Sequence, residues 1–220
     1  MLKLMTKDIA ERLMSCYSGA IFDALREKGI TNCVLPPEIA PLDPSKKMAG
    51  EAFTVSGHLD LNMDPHETLL RWTDFLSKAP SGSVVVCQPN DHTIAHMGEL
   101  SAETLHFKGV NGYVVDGGTR DSAFILNLGF PVFARYKTPR DVVGAWVPDS
   151  FGEDIKIGEV NISNGDYVFG DLDGVLIIPS SEAQSTVDRV EEVMSTENLV
   201  RKAILQGVDP REAYLSYGLF

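Results

Sequence analysis

Three short apolar segments, each preceded by an amphipathic one, constrain the fold of this chain more than any other feature of its sequence. The apolar segments are SVVVCQ, NGYVVDG and FPVFARY, and the amphipathic ones before them are DPHETLLRWTDFLSKAPSG, GELSAETLHFKGV and RDSAFILNLG. Continuous apolar runs are typical of strands buried on both faces, and apolar residues at helical spacing predict helices. The alternation therefore predicts an α/β fold, with a central sheet of parallel character and helices packed on it.

The first of these helices has a clear start signal. Asp64 is the expected N-cap, Pro65 takes the first helical position and Glu67 the third. The apolar side chains expected to define the buried face of this helix and of the next one are Leu69, Leu70, Trp72, Leu76, Leu100, Leu105 and Phe107.

The N-terminal part of the chain predicts helices over about residues 5–29, with Ser18 as an N-cap between two of them and Gly29 as the end signal. The segment LPPEIAPLDPSKK is rich in proline and predicts a surface connection. After it, MAGEAFTVSGHLDL alternates well enough to predict a strand.

The pattern changes from Lys156 onward, where short alternating segments are separated by turn signals at Gly158, Asn164-Gly165 and Asp173-Gly174. Such signals predict hairpins and a β-rich segment. A C-terminal amphipathic helix is expected over about residues 181–206. Its apolar face consists of Val187, Val190, Val193 and Met194.

Length and charge limit the classes of function. A chain of 220 residues predicts a single domain over residues 1–220. With 19 basic and 31 acidic residues the formal net charge is −12, which disfavours nucleic acid and anionic membranes as partners. Three cysteines without CxxC spacing argue against a disulfide framework, and the charged N-terminus resembles neither a signal peptide nor a membrane span. We therefore expect a soluble, cytoplasmic protein.

The stretch YVVDGGTRD places an arginine and two aspartates at the end of a predicted inner strand. We expect the strand to end at Asp116, the glycines to form a turn and Asp121 to begin a helix. On residue types alone, Asp121 could simply be an N-cap and Arg120 part of a surface ion pair. Their location favours a ligand site, because an α/β sheet binds its ligands at the carboxyl ends of its strands.

A second loop of the same kind precedes it. In PNDHTIAHMGELSAETL, Gly98 and Glu99 stand at a helix start, where the backbone N–H groups of Glu99, Leu100 and Ser101 would form an anion site. If neighbouring strands carry the two loops, Glu99 faces one crevice together with Arg120 and Asp121. Two carboxylates, an arginine and a helix N-terminus suit a hard cation and an anionic substrate.

Other candidate motifs are weaker. His92 and His96 stand four residues apart, but no third ligand has suitable spacing and HExxH is absent, which argues against a zinc site. Asp171 and Asp173 resemble a fragment of a calcium loop, yet the remaining ligands are missing, so a turn is the expected role. The sequence contains no GxSxG, P-loop or GxGxxG motif.

Three blocks, in consistent order over about residues 50–180, resemble a known family: GELSAETLHFKGVNGYVVDGGTRD, LGFPVFARYKTPRD and NGDYVFGDLDGVLIIP. The family is that of the class II pyruvate aldolases typified by 4-hydroxy-4-methyl-2-oxoglutarate aldolase, which share a fold with the regulator of ribonuclease activity A. The resemblance implies a three-layer β/β/α sandwich of the swivelling-domain type. It also implies trimers or dimers of trimers, with sites near subunit interfaces.

The resemblance implies a role for each matching residue. Asp121 matches the direct ligand of Mg²⁺ or Mn²⁺, and Arg120 the residue that binds the substrate's keto oxygen and stabilises the enolate. Glu99 occupies the position of an acidic residue, often aspartate, that orients a metal-bound water. The backbone of Gly98, Glu99, Leu100 and Ser101 resembles the cradle of the pyruvyl carboxylate. Glutamate is one methylene longer than aspartate, which would change the geometry of that water.

The implied activity is the metal-dependent cleavage of a 4-hydroxy-2-oxo acid to pyruvate and a second carbonyl compound. Oxaloacetate decarboxylation is an expected side activity, because both reactions pass through the enolate of pyruvate. The alternative is a non-catalytic, protein-binding regulator like the regulator of ribonuclease activity A. Members of that branch commonly lack the aspartate after the motif arginine, so Asp121 favours the enzyme. A methyltransferase has little support, since the sequence has no glycine-rich loop for the methyl donor.

Overall fold

Residues 8–218 are described by the computed structural model, and they form an eight-stranded mixed sheet, a separate two-stranded hairpin and seven α-helices. The strands are β1 (Ala40–Pro41), β2 (Met48–Leu59), β3 (Ser83–Gln88), β4 (Gly112–Thr119), β5 (Val132–Lys137), β6 (Trp146–Phe151), β7 (Ile155–Ile157), β8 (Val160–Ile162), β9 (Tyr167–Asp171) and β10 (Gly174–Ile178). The helices are α1 (Ile9–Leu13), α2 (Ser18–Glu27), α3 (Pro65–Lys78), α4 (Glu99–Phe107), α5 (Ser122–Leu128), α6 (Ala183–Leu205) and α7 (Pro210–Tyr217).

The centre of the sheet is parallel. The strand order is β1-β5-β4-β3-β2-β9-β10, and the eighth strand, β6, pairs antiparallel with β2. The neighbours β2, β3, β4 and β5 all run in the same direction. Helices α3, α4 and α5 connect these four strands in turn. The prediction of parallel strand-helix units is therefore confirmed, and the carboxyl ends of β3 and β4 lie next to each other.

The side chains of the central strands pack in two directions, as strand geometry requires. On β3, Val85 and Cys87 join the core beneath α3, α4 and α5, whereas Val84 and Val86 join the core that contains the hairpin β7–β8. All four side chains are fully buried. The layers are thus hairpin, sheet and helices, which confirms the expected three-layer β/β/α class.

The sheet is nearly closed around its inner core. Leu35 donates a backbone hydrogen bond to Val175 of β10 at 3.0 Å, which brings the segment before β1 against the opposite end of the sheet. That segment was expected to be a surface connection. The segment is only partly at the surface, because Leu35 and Ile39 are buried in the inner core and Ala40–Pro41 pairs with β5.

The terminal helices pack against β9 and β10. Helices α1, α2 and α6 bury Leu13, Ile21 and Val187 there. The expected helices over about 5–29 correspond to α1 and α2, and residues 5–7 lie outside the described residues. Ser18 is the first helical residue and not the N-cap, since Tyr17 holds that position. The expected helix over 181–206 corresponds to α6, while α7 and β6 were not predicted.

Strand β4 does not end at Asp116, as the sequence had suggested, but runs on to Thr119 with a register shift between Val115 and Gly118. The glycines lie inside the strand because a neighbouring loop approaches closely. A Cβ on Gly117 would come within 2.7 Å of His96 Nδ1. Asp116 itself accepts a hydrogen bond from Arg135 Nε.

The helices on the sheet bury a narrower face than expected. Trp72, Leu76 and Leu105 are buried as predicted, and Phe75 is an additional buried residue. The remaining members of the predicted apolar set are exposed on the outer face of the helical layer: Leu69, Leu70, Leu100 and Phe107. No helix among residues 8–218 is both long and apolar enough to cross a membrane.

Candidate functional site

A cavity of about 460 Å³ opens at the carboxyl ends of β3 and β4. Its walls come from α3, from the loop between β3 and α4, from the first turn of α4, and from the loops after β4 and β5. Every residue that the sequence singled out for this site lines the cavity, namely Gly98, Glu99, Leu100, Ser101, Arg120 and Asp121. The two loops proposed from the sequence therefore face one crevice.

Backbone pairing holds the two loops together. Beyond the end of β3 the chain pairs again with the end of β4, through a parallel bridge between Ala95 and Gly118 and a 2.9 Å hydrogen bond from the His96 N–H to the Gly118 carbonyl. The Arg120 N–H then donates to the Met97 carbonyl at 2.8 Å. Main-chain bonds thus fix the start of α4 beside Arg120 and Asp121.

The contact between Gly98, Glu99 and Asp121 is close. The Glu99 backbone N–H donates to Asp121 Oδ2 at 3.1 Å. A Cβ on Gly98 would lie 2.8 Å from the same oxygen and 3.1 Å from Arg120 Nε. A glycine is required at position 98 because the carboxylate and the guanidinium occupy the space of a side chain.

Asp121 adopts an uncommon backbone conformation. Its φ of 53° lies in the left-handed region, which few non-glycine residues occupy, although aspartate tolerates it better than most. Asp121 stands at the N-cap of α5 but makes no capping hydrogen bond to that helix. Its carboxylate points instead to the other loop, so the N-cap position is confirmed but the side chain does not cap α5. Strain of this kind often accompanies functional sites.

Arg120 is held between two carboxylates. Its Nε lies 3.3 Å from Asp121 Oδ2, and its Nη1 donates to Asp141 Oδ2 at 2.9 Å. The three side chains retain between 35 and 38% of their exposure, so they stay accessible from the cavity. The guanidinium is thereby fixed in orientation while part of its donor edge remains open to a ligand.

Asp141 was not singled out by the sequence, although it ends the block LGFPVFARYKTPRD. It lies in the loop after β5, and β5 is the parallel neighbour of β4. The rule that placed the first two loops at one edge applies equally to this third loop. Applying the same rule to the loop after β5 would have identified Asp141.

The first turn of α4 provides backbone donors to the cavity. By helix geometry the N–H groups of Leu100 and Ser101 have no acceptor inside the helix, and Gly98 has no side chain to cap them. Ser101 is fixed because its Oγ accepts a 2.9 Å hydrogen bond from Trp72 Nε1. The helix N-terminus therefore forms a polar edge suited to a carboxylate.

The donor set fits a hard divalent cation better than a zinc ion. Both close contacts of the Asp121 carboxylate use Oδ2, so Oδ1 is available as a ligand. Mg²⁺ typically takes one or two protein carboxylates and keeps several waters. No cluster of three or more histidine, cysteine or acidic side chains arranged to bind a metal occurs among residues 8–218.

His96 lies at the cavity with a fully buried imidazole. Its ring packs edge-on against Trp146, with centroids 5.2 Å apart, and Nε2 is 3.5 Å from Asp91 Oδ2. Burial lowers the pKa of His96 to about 4, and this outweighs the opposite effect of Asp91. His96 is therefore neutral near pH 7. His92, four residues earlier, is exposed, and its Nε2 lies 3.8 Å from Asp116 Oδ1.

Comparison with known proteins identifies similar sequences and folds. A family model described as "RraA-like: Aldolase/RraA" matches residues 18–177, which include both loops of the cavity. A protein of Halalkalibacterium halodurans, named "Putative 4-hydroxy-4-methyl-2-oxoglutarate aldolase", is 29% identical over 211 residues, covering 94% of this chain and 94% of that protein. Protein DlpA of Legionella pneumophila is 28% identical over 222 residues, or 96% of this chain, which spans only 34% of DlpA.

A solved structure shows the same architecture. The crystal structure of Streptomyces coelicolor RraAS2, described as an unusual member of the RNase ES inhibitor RraA protein family, matches with a TM-score of 0.78 and 25% identity. The match covers 91% of this chain and 99% of RraAS2.

Proposed function

The chain belongs to the RraA-like family, which includes both aldolases and RraA regulators, and from this premise we propose that it is a divalent-metal-dependent aldolase. The proposed reaction cleaves a 4-hydroxy-2-oxo acid to pyruvate and a second carbonyl compound. The observation that carries the proposal is the convergence of Arg120, Asp121 and the first turn of α4 on one cavity.

In the proposed binding mode, the N–H groups at the start of α4 hold the carboxylate of the 2-oxo acid. Two of them, on Leu100 and Ser101, have no intrahelical acceptor, and the helix dipole adds positive potential there. Arg120 then binds the keto oxygen. Its orientation is set by Asp121 and Asp141, so no reorganisation is needed when negative charge develops on that oxygen.

Asp121 is the residue we assign to hold Mg²⁺ or Mn²⁺, with Oδ2 anchored by the Glu99 N–H. The bound ion would supply Lewis-acid stabilisation of the enolate charge. Cleavage of the C3–C4 bond also requires removal of the C4 hydroxyl proton. Glu99, which lines the cavity, is the carboxylate we assign to accept that proton through a water molecule. Oxaloacetate decarboxylation is the side reaction expected from the same enolate.

The second candidate function is that of a non-catalytic regulator that binds another protein. It is supported by the match to RraAS2 over nearly the whole of both chains. The presence of an arginine and three carboxylates at one cavity favours the enzyme instead. Absence of any metal-dependent turnover, together with a folded protein, would favour the regulator.

The assembly and location belong to the proposal as well. A homotrimer or hexamer is proposed, with exposed apolar side chains of the helical layer, including Phe107 and Phe124, in or near the subunit interface. The proposed substrate is a small 2-oxo acid. Neither nucleic acid nor a membrane is a proposed partner, in keeping with the net charge of −12, and the proposed location is the cytoplasm.

The experiment is a pyruvate-release assay coupled to lactate dehydrogenase. The purified protein is incubated with 4-hydroxy-2-oxo acids or oxaloacetate and with Mg²⁺ or Mn²⁺. We expect pyruvate with either substrate type, loss of the activity with EDTA and recovery when the metal is restored. A folded protein that releases no pyruvate above the metal-only background would contradict the proposal.

A further inference from the structure

We propose that this site selects 4-hydroxy-2-oxo acids whose C4 substituent is apolar, over those whose C4 substituent carries a second carboxylate. The inference rests on the proposed aldolase function and concerns the part of the substrate that the reacting centre does not determine. It is carried by the composition of the cavity beyond Arg120 and Asp121.

The residues that line the cavity are of two chemical kinds, polar and apolar, and each kind is called one half of the lining. One half contains the start of α4, Arg120, Asp121 and Asp141. The other is an apolar wall, formed by Leu69, Trp72, Leu76, Leu100, Val142 and Val143. Trp72, Leu76 and Val142 are buried and belong to the core under the helices, so their part of the wall is held by core packing. A substrate held by its 2-oxo acid end would place its other end against this wall.

The polar groups within the apolar half are already used. Thr73 donates its hydroxyl proton to the Leu69 carbonyl at 2.8 Å, and Thr104 donates to the Leu100 carbonyl at 2.7 Å. The indole N–H of Trp72 is bound to Ser101 Oγ. A carboxylate placed here would lose water without gaining hydrogen bonds, which is unfavourable, whereas an alkyl group would gain from burial.

The charged side chains of the cavity also disfavour a second substrate carboxylate. Among the described residues that line the cavity, Arg120 is the one cationic side chain, and it stands against the carboxylates of Glu99, Asp121 and Asp141. Arg120 is engaged by two of these carboxylates. His96 is buried and adds no charge near pH 7. A second substrate carboxylate placed against the apolar wall would therefore find no cationic side chain there to pair with.

The alternative place for a second carboxylate is a shallower depression of about 310 Å³ that adjoins Arg120 and Asp121. It is lined by Lys137, Ser122 and Thr138. To reach Lys137, the substituent would have to leave the apolar wall. This alternative makes Lys137 the residue whose replacement distinguishes the two binding modes.

The test compares kcat/KM for pyruvate release across two substrate series. One series carries a hydrogen, methyl, ethyl or propyl group at C4, and the other is 4-hydroxy-2-oxoglutarate with and without a 4-methyl group. We expect kcat/KM to rise by up to about fourfold for each added methylene, the value of burying one such group. We expect the dicarboxylates to be used at least about tenfold less well, since a buried carboxylate without a partner is costly.

Two neighbouring leucines provide matched variants. Leu69 and Leu70 are adjacent on α3 and are 44 and 51% exposed, but only Leu69 lines the cavity. Leu69→Lys should raise the dicarboxylate-to-alkyl ratio of kcat/KM by about tenfold or more by adding a cation at the wall, and Leu70→Lys should leave the ratio at the wild-type value. Val143→Lys, at another residue of the wall, is a second variant in case Leu69→Lys does not fold.

Three results would overturn the inference. One is a wild-type preference for dicarboxylates, and another is an equal ratio in the Leu69→Lys, Val143→Lys and Leu70→Lys proteins. The third is a selective loss of dicarboxylate turnover in Lys137→Ala, which would place the distal carboxylate in the other depression. Absence of pyruvate from every substrate, oxaloacetate included, would contradict the proposed function itself, and the inference would fall with it.

Discussion

The carboxylate of Asp121 accepts a hydrogen bond from the backbone N–H of Glu99 at 3.1 Å, between residues 22 positions apart in the sequence. This bond joins the loop after β4 to the first turn of α4. It also explains why Asp121 does not cap its own helix and why its backbone is held at a positive φ. The two loops act as one unit, and disturbing either should change the site.

Gly98→Ala should impair the site without unfolding the protein. The backbone at Gly98 has a φ of −143°, which alanine adopts readily, but the new Cβ would come within 2.8 Å of Asp121 Oδ2. A displacement of about 1 Å at a reacting centre can cost on the order of 10²-fold in rate. We expect a loss of about that size in kcat/KM for pyruvate release, with a cooperative thermal transition retained.

Gly19→Ala is the matched control for this change. A Cβ at Gly19, in α2, would meet only the Tyr17 ring at 3.4 Å, an ordinary contact. Alanine favours a helix over glycine, so stability should be equal or slightly higher and activity unchanged. Equal activity of Gly98→Ala and Gly19→Ala would contradict the close packing at position 98.

Arg120→Lys should lose most of the activity although the charge is kept. The guanidinium contacts Asp121 through Nε and Asp141 through Nη1, and an ammonium cannot reproduce both contacts while presenting a fixed donor edge. Removing one preorganised donor typically costs about 10²- to 10³-fold in kcat. Steady-state kinetics should show the loss mainly in kcat. An unchanged kcat with a higher KM would mean that Arg120 binds substrate and transition state equally and does not stabilise the enolate selectively.

Stability should fall in acid partly because of His96. Burial lowers the pKa of His96 from 6.5 in the unfolded chain to about 4 in the folded protein. Between these values the unfolded state binds the proton and the folded state does not, so stability decreases as the pH falls from about 6.5 to 4. Urea unfolding of wild type and His96→Gln over this range should show a shallower pH dependence in the variant. Parallel curves would contradict the assignment of a neutral, buried imidazole.

Phe75 should be a major contributor to stability. Its side chain is fully buried between the helices and the sheet, packs edge-on against Trp72 with centroids 5.2 Å apart, and contacts Phe53 and Phe151. Phe75→Ala should lower the free energy of unfolding by about 3–5 kcal/mol. Leu70→Ala, on the exposed face of the same helix, should change it by no more than about 0.5 kcal/mol. Similar unfolding midpoints for the two variants would disprove this packing assignment.

Much of the fold followed from local patterns in the sequence. Continuous apolar runs identified β3, β4 and β5, and Asp64 and Pro65 marked the start of α3. The parts that were missed depend on tertiary contacts. Strand β4 passes through two glycines because a loop packs against it, and Ala40–Pro41 becomes a strand only by pairing with β5. Neither contact has a local signal.

The candidate site, like the fold, was predicted in part: the two loops were found, and two residues near them were missed. Glycine and carboxylate at two helix starts, together with the rule for strand ends, brought the two loops to one edge of the sheet. The residues that complete the arrangement were missed for two reasons. Asp141 follows a third strand whose place beside β4 was not considered, and the burial of His96 depends on the ring of Trp146, 50 residues further along the chain.

The most direct test of the central claim is metal-dependent pyruvate release by wild type and Asp121→Ala, with binding of Mn²⁺ to each protein measured in parallel. Asp23→Ala, an exposed carboxylate in α2 that pairs with Arg26, serves as control. We expect wild type and Asp23→Ala to bind Mn²⁺ and release pyruvate, and folded Asp121→Ala to do neither. Full Mn²⁺ binding and full pyruvate release by Asp121→Ala would contradict this claim.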